Sequence, residues 1–174
     1  MRIIPLLIIS VLFATASAQS FPALVGVTAD DNQMTLPLPA PKDWTVIGIA
    51  ASQQAALTYE GWYEPAYQRF IAQYGLMAGA YECDVYFVLL FEEANKTAFE
   101  PTLKYFRENA DPEVAGHLLF SQQEADPLLK KLKITDKETP HFFIIDAKGT
   151  IVHHSNGAFT EDKLEAMEDV MLEE

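Results

Sequence analysis

The chain has 174 residues, enough for one domain with a proper core, and at 49% hydrophobic and 11% aromatic its composition is ordinary for a globular protein. With 25 Asp and Glu against 12 Lys and Arg, the net charge of −13 argues against nucleic acid and anionic membrane surfaces as partners. A single cysteine, Cys83, excludes an intramolecular disulfide.

Residues 1–18 read as a targeting segment. Met1-Arg2 is a short positive start, Ile3 to Ala14 is apolar, and Ala16-Ser17-Ala18 is a small-residue cleavage site, so the mature chain is expected to begin at Gln19. Losing Arg2 takes the net charge from −13 to −14. No later stretch is long enough to cross a bilayer, so no membrane span is expected after cleavage. The expected address is outside the cytoplasm, the periplasm in preference to full secretion.

Residues 19–43 form an N-terminal extension. Leu24 to Thr28 and Met34 to Leu36 flank Asp30-Asp31-Asn32, which predicts a small hairpin. Pro37, Pro39 and Pro41 then forbid continuous helix or central strand. Residues 44–174 make the main domain. Trp44 to Ala50 is an apolar, β-rich run and reads as a buried strand. From Gln54 to Tyr74 the period becomes helical, with Tyr59, Trp62 or Tyr63, Ala66, Phe70 and Tyr74 on one stripe. Pro65 falls inside it and should kink or divide it.

Val85 to Phe91 predicts a second buried strand. Phe99 to Asn109 predicts a helix that tolerates Pro101 in its first turn. A short strand at His117 to Phe120 and a short helix at Glu124 to Leu132 follow. Two further strands surround the turn Asp146-Ala147-Lys148-Gly149. Thr160 then caps a helix over Glu161 to Leu172, with acids in its first turn and Leu164, Met167 and Met171 on its apolar face. Strands alternating with helices imply parallel pairs, and the tight final turn requires an antiparallel one. The fold class is α/β: a mixed central sheet flanked by helices, with an N-terminal hairpin.

Thr139-Pro140, the strand His141 to Ile145, and the run Asp146 to Val152 carry a resemblance. Together with the hairpin, the element order and the Phe21-Pro22-Ala23-Leu24 opening, they make the chain similar to the thioredoxin-like superfamily, in its exported thiol-disulfide and peroxiredoxin-like branch. The resemblance implies a cis-proline loop at Thr139-Pro140 and catalytic thiols just after the first core strand. A helix N-terminus there would stabilise a thiolate. This chain reads Ala50-Ala51-Ser52-Gln53-Gln54-Ala55 at that position, and no cysteine occurs between Trp44 and Glu82. Dithiol chemistry is therefore excluded by residue count.

Each remaining candidate has a structural alternative. Cys83, within Glu82-Cys83-Asp84, reads as a small buried hydrophobe whose acidic neighbours raise its pKa. Its functional alternative is a thiol that pairs with another chain. Ser52, Gln53 and Gln54 are loop residues and a helix cap, or a polar contact surface beside Thr139, Pro140 and His141. In the resembling family, the residue before the cis-proline pairs with bound peptide as an added strand, and here that residue is Thr139. His141 is otherwise a hydrogen-bonded strand histidine. His153 and His154 are consecutive on a strand and so point to opposite faces, which denies them a joint metal site. No metal and no cofactor are expected. The acidic end, Glu161 to Glu174, reads as a solvated helix face.

These residues lead to an exported, redox-inactive protein that binds a protein or peptide at Ser52, Gln53, Gln54, Thr139, Pro140 and His141, in assembly or scaffolding. The alternative is a thiol-disulfide oxidoreductase or peroxidase-like enzyme that uses Cys83 alone.

Overall fold

The computed structural model describes residues 19–74 and 79–173. The leader expected over residues 1–18 lies outside them. A mixed seven-stranded sheet runs in the order β2-β1-β5-β4-β3-β6-β7. Its members are β1 (Leu24–Thr28), β2 (Gln33–Leu36), β3 (Trp44–Ala50), β4 (Cys83–Leu90), β5 (Leu118–Ser121), β6 (His141–Asp146) and β7 (Ile151–Asn156). β3 pairs in parallel with β4, and β4 with β5, while β6 runs antiparallel to both β3 and β7. The expected α/β class, mixed sheet and hairpin are all present.

Continuous burial explains why β3 and β4 read as unbroken apolar runs and not as alternating ones. One sheet face packs Val46, Phe87, Phe120 and Phe142 against helices α1 (Gln53–Ala66), α2 (Phe99–Asn109) and α5 (Glu161–Leu172). The other packs Ile47, Val88, Leu119 and Phe143 against Phe21 and α4 (Ala125–Lys131). α3 (Pro112–Ala115), a single turn capped by Asp111, was not foreseen; four residues are too few for a periodic signal.

β1 and β5 pair directly only at Val27 and Thr28, opposite Phe120 and Leu119. Beyond that point side chains replace the missing strand contacts. Gln123 Oε1 accepts from Val25 N at 3.0 Å, and Ser121 Oγ donates to Val25 O at 2.6 Å. The extension is thus tied to the sheet without lengthening β5.

α1 passes through Pro65 and gives way two residues later to a π-helical turn, Tyr67–Ile71. Proline removes an N–H from the helical ladder, and the wider turn follows directly after it. Tyr59, Trp62, Ala66 and Phe70 are buried as the stripe requires. Tyr74 is not, at 71% exposure. The π-turn ends at Ile71, and Gln73 at φ 49° swings the chain outward, so the helical period no longer applies at Tyr74.

Candidate functional site

Ser52 occupies the corner between β3 and α1. Its backbone is extended, and its Oγ accepts from Ala55 N at 3.1 Å, which makes it the N-cap of α1. The same hydroxyl donates to Glu138 Oε2 at 3.3 Å and so joins the corner to the loop that carries Thr139 and Pro140. Gln53 and Gln54 are exposed beside it, Thr139 is half-buried, and Pro140 and His141 are buried.

The loop is held at several points. Asp136 accepts from Glu138 N at 2.9 Å and from Thr139 Oγ1 at 3.2 Å. Lys137 Nζ reaches Glu92 at 2.8 Å and Asp126 at 2.7 Å, and hydrogen bonds to Asp126 and then Glu92 raise its pKa. His141 Nε2 contacts Asp136 O at 2.8 Å, and Gly157 N donates to Pro140 O at 2.9 Å.

One expected feature is absent. Among the described residues the cis peptide bond is Leu36-Pro37, so Thr139-Pro140 is trans. Trans is the ordinary state of an X-Pro bond, and here the Asp136 turn and the Lys137 ion pairs already fix the loop's course. The strand-adding role for Thr139, which was tied to cis geometry, loses that support.

Behind Ser52 lies a cavity of about 280 Å³ between the ends of β3 and β4, the start of α1 and the start of α2. Ala50, Ala56, Leu90 and Phe91 form much of its wall, and Ser52 and Asn95 lie at its edge. Asn95 Oδ1 is buried there without a hydrogen-bond partner. Sequence reading missed this cavity because its walls come from three separate segments.

Cys83 is elsewhere, at the start of β4. It is 3% exposed, and its thiol donates to Phe70 O at 3.3 Å. Burial pushes its pKa up to about 12. Asp84 adds to the shift and Lys42 opposes it. The direction matches expectation, but desolvation outweighs the acidic neighbours as its cause.

His153 and His154 do point to opposite faces, as expected. His154 instead meets His141 across the hairpin, Nε2 to Nδ1 at 3.0 Å. A turn over residues 146–149 places His141 opposite His154, so a signal for this pairing existed in the sequence. An irregularity between Ile144 and Ile145 shifts the register to Phe143 opposite His154, and the two imidazoles meet diagonally.

Chemically, the corner offers a hydroxyl, two amides and the capped N-terminus of a 14-residue helix. Among the described residues no imidazole contacts the Ser52 hydroxyl to activate it as a nucleophile. The arrangement is suited to holding a ligand.

No family model matches the sequence, and no curated protein is similar to it. Solved structures are similar in fold. A conserved uncharacterized protein from Geobacillus kaustophilus superposes with a TM-score of 0.58 at 16% identity, over 90% of this chain and 82% of that one. The exposed lipoprotein thioredoxin of Streptococcus pneumoniae gives 0.56 at 14%, over 85% and 99%. A thiol:disulfide interchange protein of the thioredoxin family from Chlorobium tepidum gives 0.54 at 14%, over 91% and 99%. The chain has the thioredoxin-like fold.

Proposed function

We propose that this chain is an exported thioredoxin-fold protein, periplasmic in preference to extracellular, that binds a polypeptide without redox chemistry. The contact surface is Ser52, Gln53, Gln54, Thr139, Pro140 and His141. The observation that carries this reading is the hydrogen bond from Ser52 to Glu138, which brings the thiol-free start of α1 against the Thr139-Pro140 loop. The similar proteins named as thiol-disulfide interchange proteins need thiols for that activity; here the only cysteine is buried and held protonated. With Thr139-Pro140 trans, recognition falls on the side chains at the corner and on the cavity behind Ser52.

Gln53→Arg combined with Thr139→Trp tests the reading and leaves the Ser52 cap intact. A partner captured by the mature wild-type chain should bind the double variant at least tenfold more weakly, and Glu165→Arg on α5 should leave binding unchanged. Disulfide reduction and peroxide consumption should stay at background in wild type and in Cys83→Ser alike. Turnover that disappears in Cys83→Ser would overturn the reading in favour of the single-cysteine enzyme. A partner indifferent to the double variant would remove the corner from the interface.

A further inference from the structure

Two imidazoles on adjacent strands converge at the end of β6. His141 Nδ1 and His154 Nε2 are 3.0 Å apart. The Asp136 carbonyl, 2.8 Å from His141 Nε2, can only accept, so Nε2 carries the ring proton and Nδ1 presents a lone pair. Ligating histidines are oriented in this way, with the far nitrogen donating to a carbonyl that fixes both tautomer and ring direction. The His154 ring lies flat on Phe143, with centroids 4.5 Å apart and planes 4° apart, so its direction is also set.

An ion about 2.0 Å from both nitrogens would take the place of the hydrogen bond that they now share. Imidazole ligands suit Cu(II), Ni(II) and Zn(II). The described residues contain no group of three or more His, Cys, Asp and Glu placed to hold a metal, so the protein supplies two ligands here. A net charge of −13 attracts cations to the surface.

We propose that His141 Nδ1 and His154 Nε2 form a two-histidine site for a divalent transition ion such as Cu(II), supported from behind by the Asp136 carbonyl and completed by water. On binding, the proton on His154 Nε2 moves through solvent to the Nδ1 of the same ring. Two lone pairs then face the ion. The ion ties the loop over residues 136–141 to the edge strand β7.

Cu(II) titrated into the mature chain in a non-coordinating buffer, followed by calorimetry and electron paramagnetic resonance, tests the site. The expected result is one saturable ion with splitting from two imidazole nitrogens. His154→Gln, at an exposed position that should not disturb folding, is expected to weaken binding at least tenfold and to remove one nitrogen from the spectrum. Thermal unfolding of His154→Gln without metal verifies that its fold is retained. His153→Gln, on the other face of β7, is expected to bind as wild type does. No saturable binding overturns the site. So does equal binding by wild type and His154→Gln, as an ion held at the N-terminal amine would give, or an equal loss in His153→Gln.

Discussion

Gly48 and Tyr59 show how tightly single positions are determined in this core. A Cβ on Gly48 would lie 2.0 Å from the Tyr59 hydroxyl, so the glycine in β3 makes room for the ring above it. That hydroxyl is buried against the Val88 backbone without hydrogen-bond geometry. Tyr59→Phe should therefore leave the urea midpoint unchanged or raise stability by up to about 1 kcal/mol, since a buried unpaired hydroxyl costs about that much or more. Gly48→Ala should cost about 3 kcal/mol, the upper end for overpacking. Equal midpoints for Gly48→Ala and wild type would show that the ring is free to move aside.

Cys83 gives a prediction with a definite pH sign. Its thiol is pushed from the ordinary 9.0 to about 12, so the folded state binds that proton more tightly than the unfolded state does. The resulting stability is fully present below about pH 9 and is lost as pH rises toward 12, by at most about 1.4 kcal/mol per unit. Burial raises Tyr59, Tyr63, Tyr81 and Tyr86 as well, so they share in the alkaline loss. Urea midpoints should fall between pH 8 and pH 11, less steeply in Cys83→Ala. A thiol reagent at pH 8 should label the native chain far more slowly than the unfolded one.

At the scale of elements, one polar cluster fastens the π-turn to α5. Arg69 reaches Glu168 at 2.5 Å and Glu161 at 2.6 Å, and Tyr81 donates to Glu168 at 3.0 Å. Glu168 is buried at 7% exposure, so Arg69→Met would leave a carboxylate with only a phenol for company. The loss should be about 2–3 kcal/mol by thermal or urea unfolding, somewhat below the figure for a fully buried pair because Arg69 is partly solvated. Arg69→Met/Glu168→Leu should recover part of it. This cluster was not legible beforehand, since Glu168 reads as one more acid on an acidic helix.

The elements themselves were legible where periodicity or burial left a run long enough to read. β3 and β4 announce themselves as apolar stretches, and Thr160 with Glu161 and Asp162 marks the start of α5. Tyr74 misled because a 3.6-residue period cannot foresee a π-turn. At the candidate site, Ser52 and the Thr139-Pro140 loop were legible from their order along the chain. The trans peptide and the Glu138 contact depend on loop path, which no local pattern encodes; the tight turn after β6 hints that His141 and His154 come near each other, and a strand irregularity sets how they meet.

For the whole molecule, the fold sets an apolar cavity and a capped helix start at the ends of β3 and β4, beside a loop fixed by ion pairs. The corner after β3, where the sequence resemblance implies thiols, carries a hydroxyl and amides. Binding through this corner is the central claim. It is tested most directly by site-specific photocrosslinking in cells, with the reactive side chain placed at Gln53 and, for comparison, at Glu165 on α5. A discrete adduct from position 53 and none from position 165 is the predicted result. Adducts from position 165 alone, or from neither position, would contradict it.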